Sequence, residues 1–558
     1  MAQQPSDTDN SLWNGVFVTP STSELPSAAS STSNTDEKMD PVVAVLQNVD
    51  LLTIVFNHMP VDRSASDQDV LQARKDLLAA VLVCQTFTEP ALDALWRVLP
   101  SLTPLLKLLP SFGQQDGTYV IEDIREDDWS RYNVHARRVR VLDLRPSQIP
   151  ISRFAYPIIV QERQGPLLPC LRELRIPDNA SIDLTLAMIL STPELRVVEL
   201  HNSAIRDTQF FYPFLASIGR KHTNLRSLIL EGDRIVNLKP VLTLAHLRKL
   251  ELRLANVHLS PTFMEELGSM TALRDLAIHA GVAVPNVVPQ PIRRECHTRV
   301  EDLDIDPAYS KFRQLERLHV LGSLPCITHI VKYMRLASLK SFVLTEIQDS
   351  SGVSSQQFWI KCFRHLTRFS SLITTIKINC AAQQRRDESR AHTVLEPLLE
   401  LKMLTSLDVN GLLFNVMTEL DISNIACAFP HLKNLVLPSG SYRSAPPLQS
   451  LCYFALECPR LEEVSLFPSY DQDIDKMLEG MAKEADRLTR DHDHPLRKLF
   501  IGSSAPLSNT QSVKFAHILD RLFPNLEVLQ RYMNQTSTDW SLVRDIQATI
   551  QMVRRSCS

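Results

Sequence analysis

Only a few side chains in this sequence stand at a spacing that could support chemistry. The densest group is Asp491-His492-Asp493-His494, whose carboxylates and imidazoles are potential metal ligands. Zinc needs ligands that converge on one point, usually from separated positions, whereas alternating residues of a hydrophilic loop point apart. We therefore predict a solvated linker here and no metal site.

The cysteines are not predicted to be reactive. A reactive thiolate needs a pKa lowered by nearby positive charge, and Cys84 lies in an apolar segment beside Gln85, so we expect it in the core. Cys452 and Cys458 are six residues apart in another apolar segment, which favours buried thiols over ligands or a disulfide. The ten cysteines lack Cys-x-x-Cys spacing, and we expect them to be reduced.

Several enzyme classes lack their motifs. The sequence contains no Gly-x-Gly, no Gly-x-x-x-x-Gly-Lys-Ser/Thr, no Gly-x-Ser-x-Gly and no His-Glu-x-x-His. Glycine itself is scarce, with 14 among 558 residues, about a third of the usual frequency. These absences argue against nucleotide-binding enzymes, serine hydrolases and zinc proteases. We predict that the chain is not an enzyme and that it uses no cofactor.

The charge distribution and the length of the apolar runs argue against two classes of partner, nucleic acid and membranes. The net charge of −4 is concentrated in residues 1–40, which hold six acidic residues and one lysine. The remainder is close to neutral, without the basic excess of a nucleic-acid-binding protein. The first residues do not form an export signal, and no apolar run is long enough to cross a bilayer. We expect a protein of the cytoplasm or nucleus, with neither nucleic acid nor membrane as partner.

The elements that would position these residues begin after a Ser-, Thr- and Asp-rich tail at 1–40. From 41 to 110 the apolar residues follow helical spacing and predict a domain of three to four helices. The first helix ends before Pro60 and is followed by a polar loop. The second runs to about Phe87, the third opens at Pro90, and a short fourth follows.

Beyond a connector at 111–138, the phrase Leu-x-x-Leu-x-Leu recurs with substitutions about every 30 residues. Its fourth and sixth positions share one face of a short strand, and amphipathic segments between phrases suit helices. The widest interval holds an extra phrase at Val300-x-x-Leu303-x-Ile305, either an insertion or another repeat. The fourteen copies begin at Val139, Leu171, Leu195, Leu225, Leu247, Leu273, Leu315, Leu339, Ile373, Leu404, Leu432, Leu461, Leu496 and Leu526.

A strand plus a helix at this period is the signature of leucine-rich repeats. The sequence therefore predicts an α/β fold in which the helical domain precedes an irregular leucine-rich-repeat solenoid of about 13 to 14 repeats. We expect the solenoid to span 139–545 and a C-terminal tail to occupy 546–558. An asparagine follows the phrase at Asn179, but Asp233 and Ala255 replace it in later copies, so no continuous asparagine ladder is expected.

The helical domain resembles an F-box. VDLLTIVFNHM is similar to the opening helix of that family, and DLLAAVLVCQTF is similar to its second signature. ALDALWR supplies the closing Leu-Trp-Arg, whereas Gln47-Asn48 stand where the family usually has Leu-Pro. The segment EDDWSRYNVHARRVRVLDL, at 126–144, resembles the junction between F-box and repeats in the large F-box families of mushroom-forming fungi.

The resemblance implies a substrate-recognition subunit of an SCF-type E3 ubiquitin ligase. Its F-box would dock on the Skp adaptor protein, and through it on a cullin-RING ligase, while the solenoid presents a protein target. The alternatives are that the apolar residues of the first helix only cover the first repeat, or that the chain is a leucine-rich-repeat interaction scaffold without a ubiquitin-ligase role. The residues implied for adaptor binding are Leu51, Leu52, Val55, Phe56, Met59, Leu77, Leu78, Val83, Phe87, Leu95 and Trp96.

A target would meet the strand residues at the third, fifth and seventh positions of each phrase. Charges of both signs alternate there, which favours recognition by shape and mixed polar contacts over one strong field. The alternative is that this face is merely solvated. The candidate target-binding residues are Glu199, His201, Lys249, Glu251, Arg253, Asp275, Arg317 and His319.

Overall fold

A computed structural model describes most of the chain after residue 40. The described residues are 41–59, 66–145, 149–163, 165–178, 184–190, 192–221, 224–233, 237–254, 259–280, 310–332, 334–347, 355–380, 389–411, 413–437, 445–469, 474–488, 493–502, 507–531 and 540–557. They divide into an N-terminal unit, Met1–Glu231, and a C-terminal unit, Gly232–Ser558. The extra phrase at 300–305 lies outside the described residues.

The N-terminal unit begins with four helices, α1 (Pro41–Gln47), α2 (Val49–Asn57), α3 (Asp67–Val81) and α4 (Gln85–Arg97). Helices α2 and α3 both pack against α4. The helical prediction is confirmed in kind, but four of its boundaries are wrong. One is the end of the second helix, which stops at Val81 and not near Phe87; the other three have local reasons.

The predicted first helix is divided at Asn48. Its side chain accepts hydrogen bonds from the backbone N–H groups of Asp50 and Leu51, at 3.0 and 3.1 Å, and so starts α2 as an N-cap. Ser66 caps α3 in the same way, so the helix begins inside the predicted loop. Pro90 lies within α4 and does not open it, because the helix already begins after Cys84.

Helix α4 leads directly into a strand, β1 (Val98–Leu99). The remaining elements alternate between short helices and strands. They are α5 (Thr103–Leu106), β2 (Phe112–Gln115), β3 (Thr118–Ile121), α6 (Trp129–Ala136), β4 (Val141–Asp143), α7 (Ala155–Glu162), β5 (Glu173–Ile176), α8 (Thr185–Ile189), β6 (Val197–Leu200), α9 (Asn202–Arg206), α10 (Thr208–Lys221) and β7 (Ser227–Gly232).

The strands of this unit form a parallel sheet in the order β1-β4-β5-β6-β7, while β2 and β3 form a separate hairpin. Equivalent apolar residues face each other from strand to strand, and all are buried. The aligned positions are Leu99, Leu142, Leu174, Val198 and Leu228. The helical domain therefore shares a sheet with the first repeat through β1, a strand that the repeat phrase did not predict.

The C-terminal unit continues the alternation of strands and helices. Its elements are β8 (Lys249–Leu254), α11 (Pro261–Gly268), β9 (Asp275–Ala280), β10 (Ser310–Lys311), β11 (Arg317–Gly322), α12 (Leu324–Lys332), β12 (Met334–Arg335), β13 (Ser341–Glu346), α13 (Ser355–Phe369), β14 (Thr375–Asn379), α14 (Ala391–Leu395), β15 (Ser406–Asn410), α15 (Glu419–Ala428), β16 (Asn434–Val436), α16 (Leu451–Glu457), β17 (Glu463–Leu466), α17 (Ile474–Asp486), β18 (Lys498–Ile501), α18 (Asn509–Leu522), β19 (Val528–Arg531) and α19 (Ser541–Cys557).

Here β8, β9, β11 and β13 to β19 are consecutive neighbours in a parallel sheet, and β10 pairs with β12 separately. The second apolar residue of each phrase again lies opposite its equivalent. These buried positions are Leu250, Leu276, Leu318, Phe342, Ile376, Leu407, Leu435, Val464, Leu499 and Leu529. All fourteen predicted phrases thus lie on strands, and the predicted α/β leucine-rich-repeat fold is confirmed.

The segment interpreted as a C-terminal tail belongs to helix α19, which packs against α18. Trp540, just before the helix, is buried and donates a hydrogen bond from Nε1 to the Ile501 carbonyl at 3.1 Å. The Gln551 amide donates to the carbonyls of Pro524 and Leu526. The helix therefore stays attached to the last repeat.

Candidate protein-binding surfaces

The residues predicted to bind an adaptor fall into three groups by exposure. Leu51, Val55 and Val83 are exposed to solvent, and Met59, Leu78 and Phe87 are half-buried. The other five lie in the core between the helices, where they support the surface from beneath. They are Leu52, Phe56, Leu77, Leu95 and Trp96.

The helical domain exposes further apolar residues that the prediction does not include, among them Val42, Val45 and Leu46 on α1. Val49 and Ile54 on α2 are exposed, and Leu82, in the turn between α3 and α4, is 80% exposed. The signal for Ile54 was available, because it stands three residues after Leu51 and next to Val55 on the same helical face. We define the apolar surface as Leu51, Ile54, Val55, Leu82 and Val83.

The apolar surface combines two neighbouring elements. Leu51, Ile54 and Val55 share one face of α2. Leu82 and Val83 lie in the turn before α4, and Phe87 follows in the first turn of that helix. The Phe87 ring meets the Phe56 ring of α2 edge to face, with 5.6 Å between centroids. This contact fixes the end of α2 beside the start of α4.

The closing Leu-Trp-Arg of the helical domain has a structural role. Arg97 donates from Nη1 to the Asn57 carbonyl at 3.1 Å and to its side-chain oxygen at 2.7 Å, which ties the end of α2 to α4. Trp96 is fully buried and stacks on His135 of α6, with 4.4 Å between ring centroids. Burial, reinforced by nearby Arg138, lowers the pKa of His135 to about 4. The imidazole is therefore neutral in this contact at pH 7.

Arg138 completes the junction between the helices and the first repeat. Its guanidinium forms ion pairs with Glu89, at 2.7 Å, and with Asp93, both on α4. Together with the Trp96 stack, these contacts hold α4 against the segment that leads into β4. His135 and Arg138 both belong to the segment that resembles an F-box junction, and both have packing roles.

On the strands of the N-terminal unit, the predicted target-binding residues Glu199 and His201 belong to a ladder of charges. Arg175 Nε lies 2.7 Å from a Glu173 oxygen and 3.8 Å from Glu199. His201 Nε2 lies 2.7 Å from Glu199 Oε1, and its Nδ1 lies 3.7 Å from Glu231. The Arg175 guanidinium thus lies near Glu173 and Glu199, and the His201 imidazole lies between Glu199 and Glu231.

In the C-terminal unit, the predicted residues cluster around Glu251 on β8. Lys249 Nζ lies 3.3 Å from Glu251 Oε2, and Arg253 Nη2 lies 2.6 Å from Oε1. Burial acts to raise the pKa of Glu251, but the two cations outweigh it and hold the pKa below its usual value. On the next strands, Arg317 Nη2 lies 3.1 Å from Asp275 Oδ2.

Two histidines extend this cluster. The rings of His279 on β9 and His319 on β11 meet edge to face, with 5.0 Å between centroids. In the strand register, Ala277 lies opposite both Glu251 and His319, so the carboxylate and the imidazole flank a small residue. Burial lowers the pKa of His319, although Glu251 and Asp275 act in the opposite direction.

The residues considered for metal or thiol chemistry have other environments. Asp491 and His492 lie outside the described residues. His494 is buried, its Nε2 lies 3.0 Å from the Cys458 carbonyl oxygen, and its ring meets Phe523. Within the described ranges, no three His, Cys, Asp or Glu side chains are arranged to hold a metal ion.

The burial predictions for the cysteines are confirmed at two positions and wrong at one. Cys452 and Cys458 are buried free thiols, as predicted, and burial raises both pKa values to about 12. The prediction for Cys84 is wrong, because its thiol is exposed at the start of α4. A hydrogen bond with Thr86, at 3.0 Å, lowers the pKa of Cys84. The turn between α3 and α4 turns the side chain outwards.

No family model matches the chain, and no curated protein matches it. Among the helices of the described residues, none is long and apolar enough for a membrane span.

Solved structures resemble the chain at low identity. An internalin, InlF, of Listeria monocytogenes is 18% identical, covers 68% of this chain and 79% of its own, and has a TM-score of 0.32. A leucine-rich-repeat protein of Leptospira interrogans is 14% identical, with coverages of 79% and 90% and a TM-score of 0.35. The yeast complex of Rad7 and Elc1 is 14% identical, with coverages of 67% and 78% and a TM-score of 0.29.

The class of the protein follows from its own repeats. Strands that carry the leucine phrase pair in parallel with their equivalent residues in register, and helices connect many of them. This arrangement is a leucine-rich-repeat fold, the fold of protein-interaction scaffolds.

Proposed function

We propose that this chain is the substrate-recognition subunit of an SCF-type E3 ubiquitin ligase. In this proposal, the Skp adaptor binds the apolar surface of the helical domain, and a protein target binds the outward residues of the repeat strands. The observation that carries the proposal is the exposure of five apolar side chains, Leu51, Ile54, Val55, Leu82 and Val83, on a helical domain that already has a buried core.

The apolar surface is surplus to folding of the helical domain. Leu52 and Phe56 of α2 pack in the core, and Leu77 and Leu95 of the neighbouring helices are buried with them. Exposed apolar residues beside such a core are typical of a site for another protein.

The alternative that these residues cover the first repeat receives no support from their exposure. The helical domain meets the first repeat through other side chains, namely Trp96, Glu89 and Asp93 on α4 and His135 and Arg138 beyond it. The apolar surface is therefore left available for a partner.

The departure from the F-box pattern at Gln47-Asn48 does not weaken the local structure. Proline near a helix start favours the helix because its backbone is already in the helical conformation. Asn48 achieves the same start of α2 by accepting two backbone hydrogen bonds. The Gln47-Asn48 departure therefore gives little support to the alternative of a scaffold that does not bind the adaptor.

In this function the chain contributes no catalytic group. The ubiquitin-charged enzyme would be brought close to the target, and the gain in rate would come from proximity. The Trp96 and Arg138 contacts would fix the position of the adaptor relative to the first repeat.

The test is binding of the purified Skp adaptor to the full chain. Because a carboxylate placed in an apolar interface is costly, Leu82→Asp with Val83→Asp should weaken binding at least about tenfold. The matched control is Leu420→Asp, since Leu420 is 68% exposed on helix α15, far along the sequence in the repeats. Phe56 is unsuitable for this test because it is buried.

Circular dichroism should show that the variants keep the wild-type helix content. If the folded double variant binds the adaptor as well as Leu420→Asp does, or if the wild-type chain does not bind it, the proposal fails. A scaffold without a ligase role would then be the better account.

A further inference from the structure

The charged residues around Glu251 are arranged in two layers. Three cations are the more exposed groups, with side-chain exposures of 43% for Lys249, 40% for Arg253 and 66% for Arg317. The two carboxylates that they contact are less exposed, at 10% for Glu251 and 21% for Asp275. An approaching partner therefore meets ammonium and guanidinium groups before it meets a carboxylate.

The ladder in the N-terminal unit does not have this layering. Its arginine, Arg175, is 18% exposed, about as little as Glu199 at 15%, while Glu231 is the most exposed residue of that ladder at 40%. Single pairs elsewhere show the same layering, namely Arg145 with Asp143, Lys377 with Asp408 and Lys498 with Glu463. The group around Glu251 differs because it brings three such cations together on adjacent strands.

We infer that Lys249, Arg253 and Arg317, with His279 and His319 beside them, bind an acidic segment of a protein target. This inference rests on the proposed target-binding role of the repeats and names the chemistry of the target. The shared chemistry is a chain of anionic side chains, supplied either by carboxylates or by phosphorylated residues. Both fit guanidinium groups, which offer several N–H donors in a fixed plane.

The cations can accept this partner while keeping their present contacts. Among the described residues, Arg317 contacts Asp275 through Nε and Nη2, which leaves further donors of its guanidinium group facing outwards. Glu251 is shared by Lys249 and Arg253, so one carboxylate partly neutralises two cations. Within this group three cations stand against two carboxylates, which would favour an acidic segment, and salt should weaken that attraction.

The experiment measures fluorescence anisotropy of short labelled peptides with the full chain. The probes are a peptide of alternating glutamate and serine, the same sequence with glutamine in place of glutamate, and a glutamine–phosphoserine peptide. The glutamate and phosphoserine peptides should bind, and binding should weaken as salt rises from about 50 to about 300 mM. The uncharged peptide should not bind measurably.

Arg317→Ala should weaken binding by about threefold to tenfold, because it removes the most exposed cation. The matched control is Lys498→Ala, since Lys498 holds the same third position of its phrase and contacts Glu463 on the preceding strand at 3.4 Å. Much tighter binding of the phosphoserine peptide would assign the anion to phosphorylated targets, and equal binding would assign it to carboxylates; both support the inference.

The inference is overturned if neither anionic peptide binds, or if Lys498→Ala weakens binding as much as Arg317→Ala does. It is also overturned if a single-stranded oligonucleotide binds as tightly as the peptides, because that result would indicate general polyanion attraction. Adaptor binding is measured separately on the same preparations. Failure of this inference is thus distinct from failure of the proposed ligase role.

Discussion

The helical domain and the repeat strands expose different kinds of side chain. On α2 and the turn after α3, the exposed residues include several large apolar ones, such as Ile54 and Leu82. On the outward positions of the strands they are charged and paired, as in Arg317 with Asp275. The comparison separates two kinds of exposed surface, an apolar one to which the proposed function assigns the adaptor and a charged one to which it assigns the target.

The comparison depends on Trp96 being a core residue that joins the helical domain to the first repeat. Trp96→Ala should lower the free energy of unfolding of the N-terminal unit by about 3 to 5 kcal/mol, because it removes a fully buried ring. Val55→Ala, at an exposed position of the apolar surface, should change it by less than about 0.5 kcal/mol.

Hydrogen–deuterium exchange provides the local measurement. Amides of α4 and α6 should lose protection in Trp96→Ala and keep it in Val55→Ala. Equal effects of the two substitutions would mean that the division between core and surface proposed for the helical domain is wrong.

The repeats are expected to be sensitive at a glycine just beyond a strand. Gly411 follows β15 with φ of +86°, and an added Cβ would lie 2.3 Å from the Cys380 carbonyl oxygen. Gly411→Ala should therefore cost about 2 to 3 kcal/mol of stability in the C-terminal unit. Gly113→Ala is the control, because a Cβ there meets no atom within 4 Å. Thermal unfolding that is equally affected by both substitutions would contradict this account.

A smaller effect is expected from pH at the junction with the helical domain. His135 has a pKa of about 4 when folded, against 6.5 for an unperturbed histidine. The unfolded chain therefore binds more protons, and the stability present above pH 6.5 is lost as pH falls towards 4. The full difference in pKa corresponds to about 3 kcal/mol, and solvent access to the half-buried ring reduces the loss that we expect from His135 to about 2 kcal/mol.

The measurement is urea unfolding of the wild-type chain and of His135→Gln across this pH range. As pH falls from 6.5 towards 4, the wild-type chain should lose more unfolding free energy than His135→Gln does. Parallel pH profiles would show that His135 is not buried in its neutral form.

The repeats were more predictable than the helices for a physical reason. Each Leu-x-x-Leu-x-Leu phrase alone fits any strand, but fourteen near-periodic copies support one another, and one register then places residues such as Leu318 and Phe342 opposite each other. The helical boundaries depended on single residues. Asn48 caps a helix and Pro90 is accommodated inside one, and neither outcome follows from apolar spacing.

The candidate surfaces were only partly predictable. Alternation along a strand correctly indicated outward charges, but the layering of Arg317 above Asp275 depends on side-chain lengths and on contacts between strands. On α2, spacing alone did not tell the buried Phe56 from the exposed Val55, because both are apolar and adjacent. The apolar residues before Cys84 predict a core position, but the thiol is exposed because it follows the turn after α3, which apolar spacing does not reveal.

The most direct test of the account compares two variants against two ligands. Purified Leu82→Asp/Val83→Asp and Arg317→Ala chains are each titrated with the Skp adaptor and with the glutamate–serine peptide. The account predicts that the first variant loses adaptor binding and keeps peptide binding, and that the second does the reverse. If the first variant, still folded, binds the adaptor with wild-type affinity, the central claim of an adaptor-binding apolar surface is contradicted.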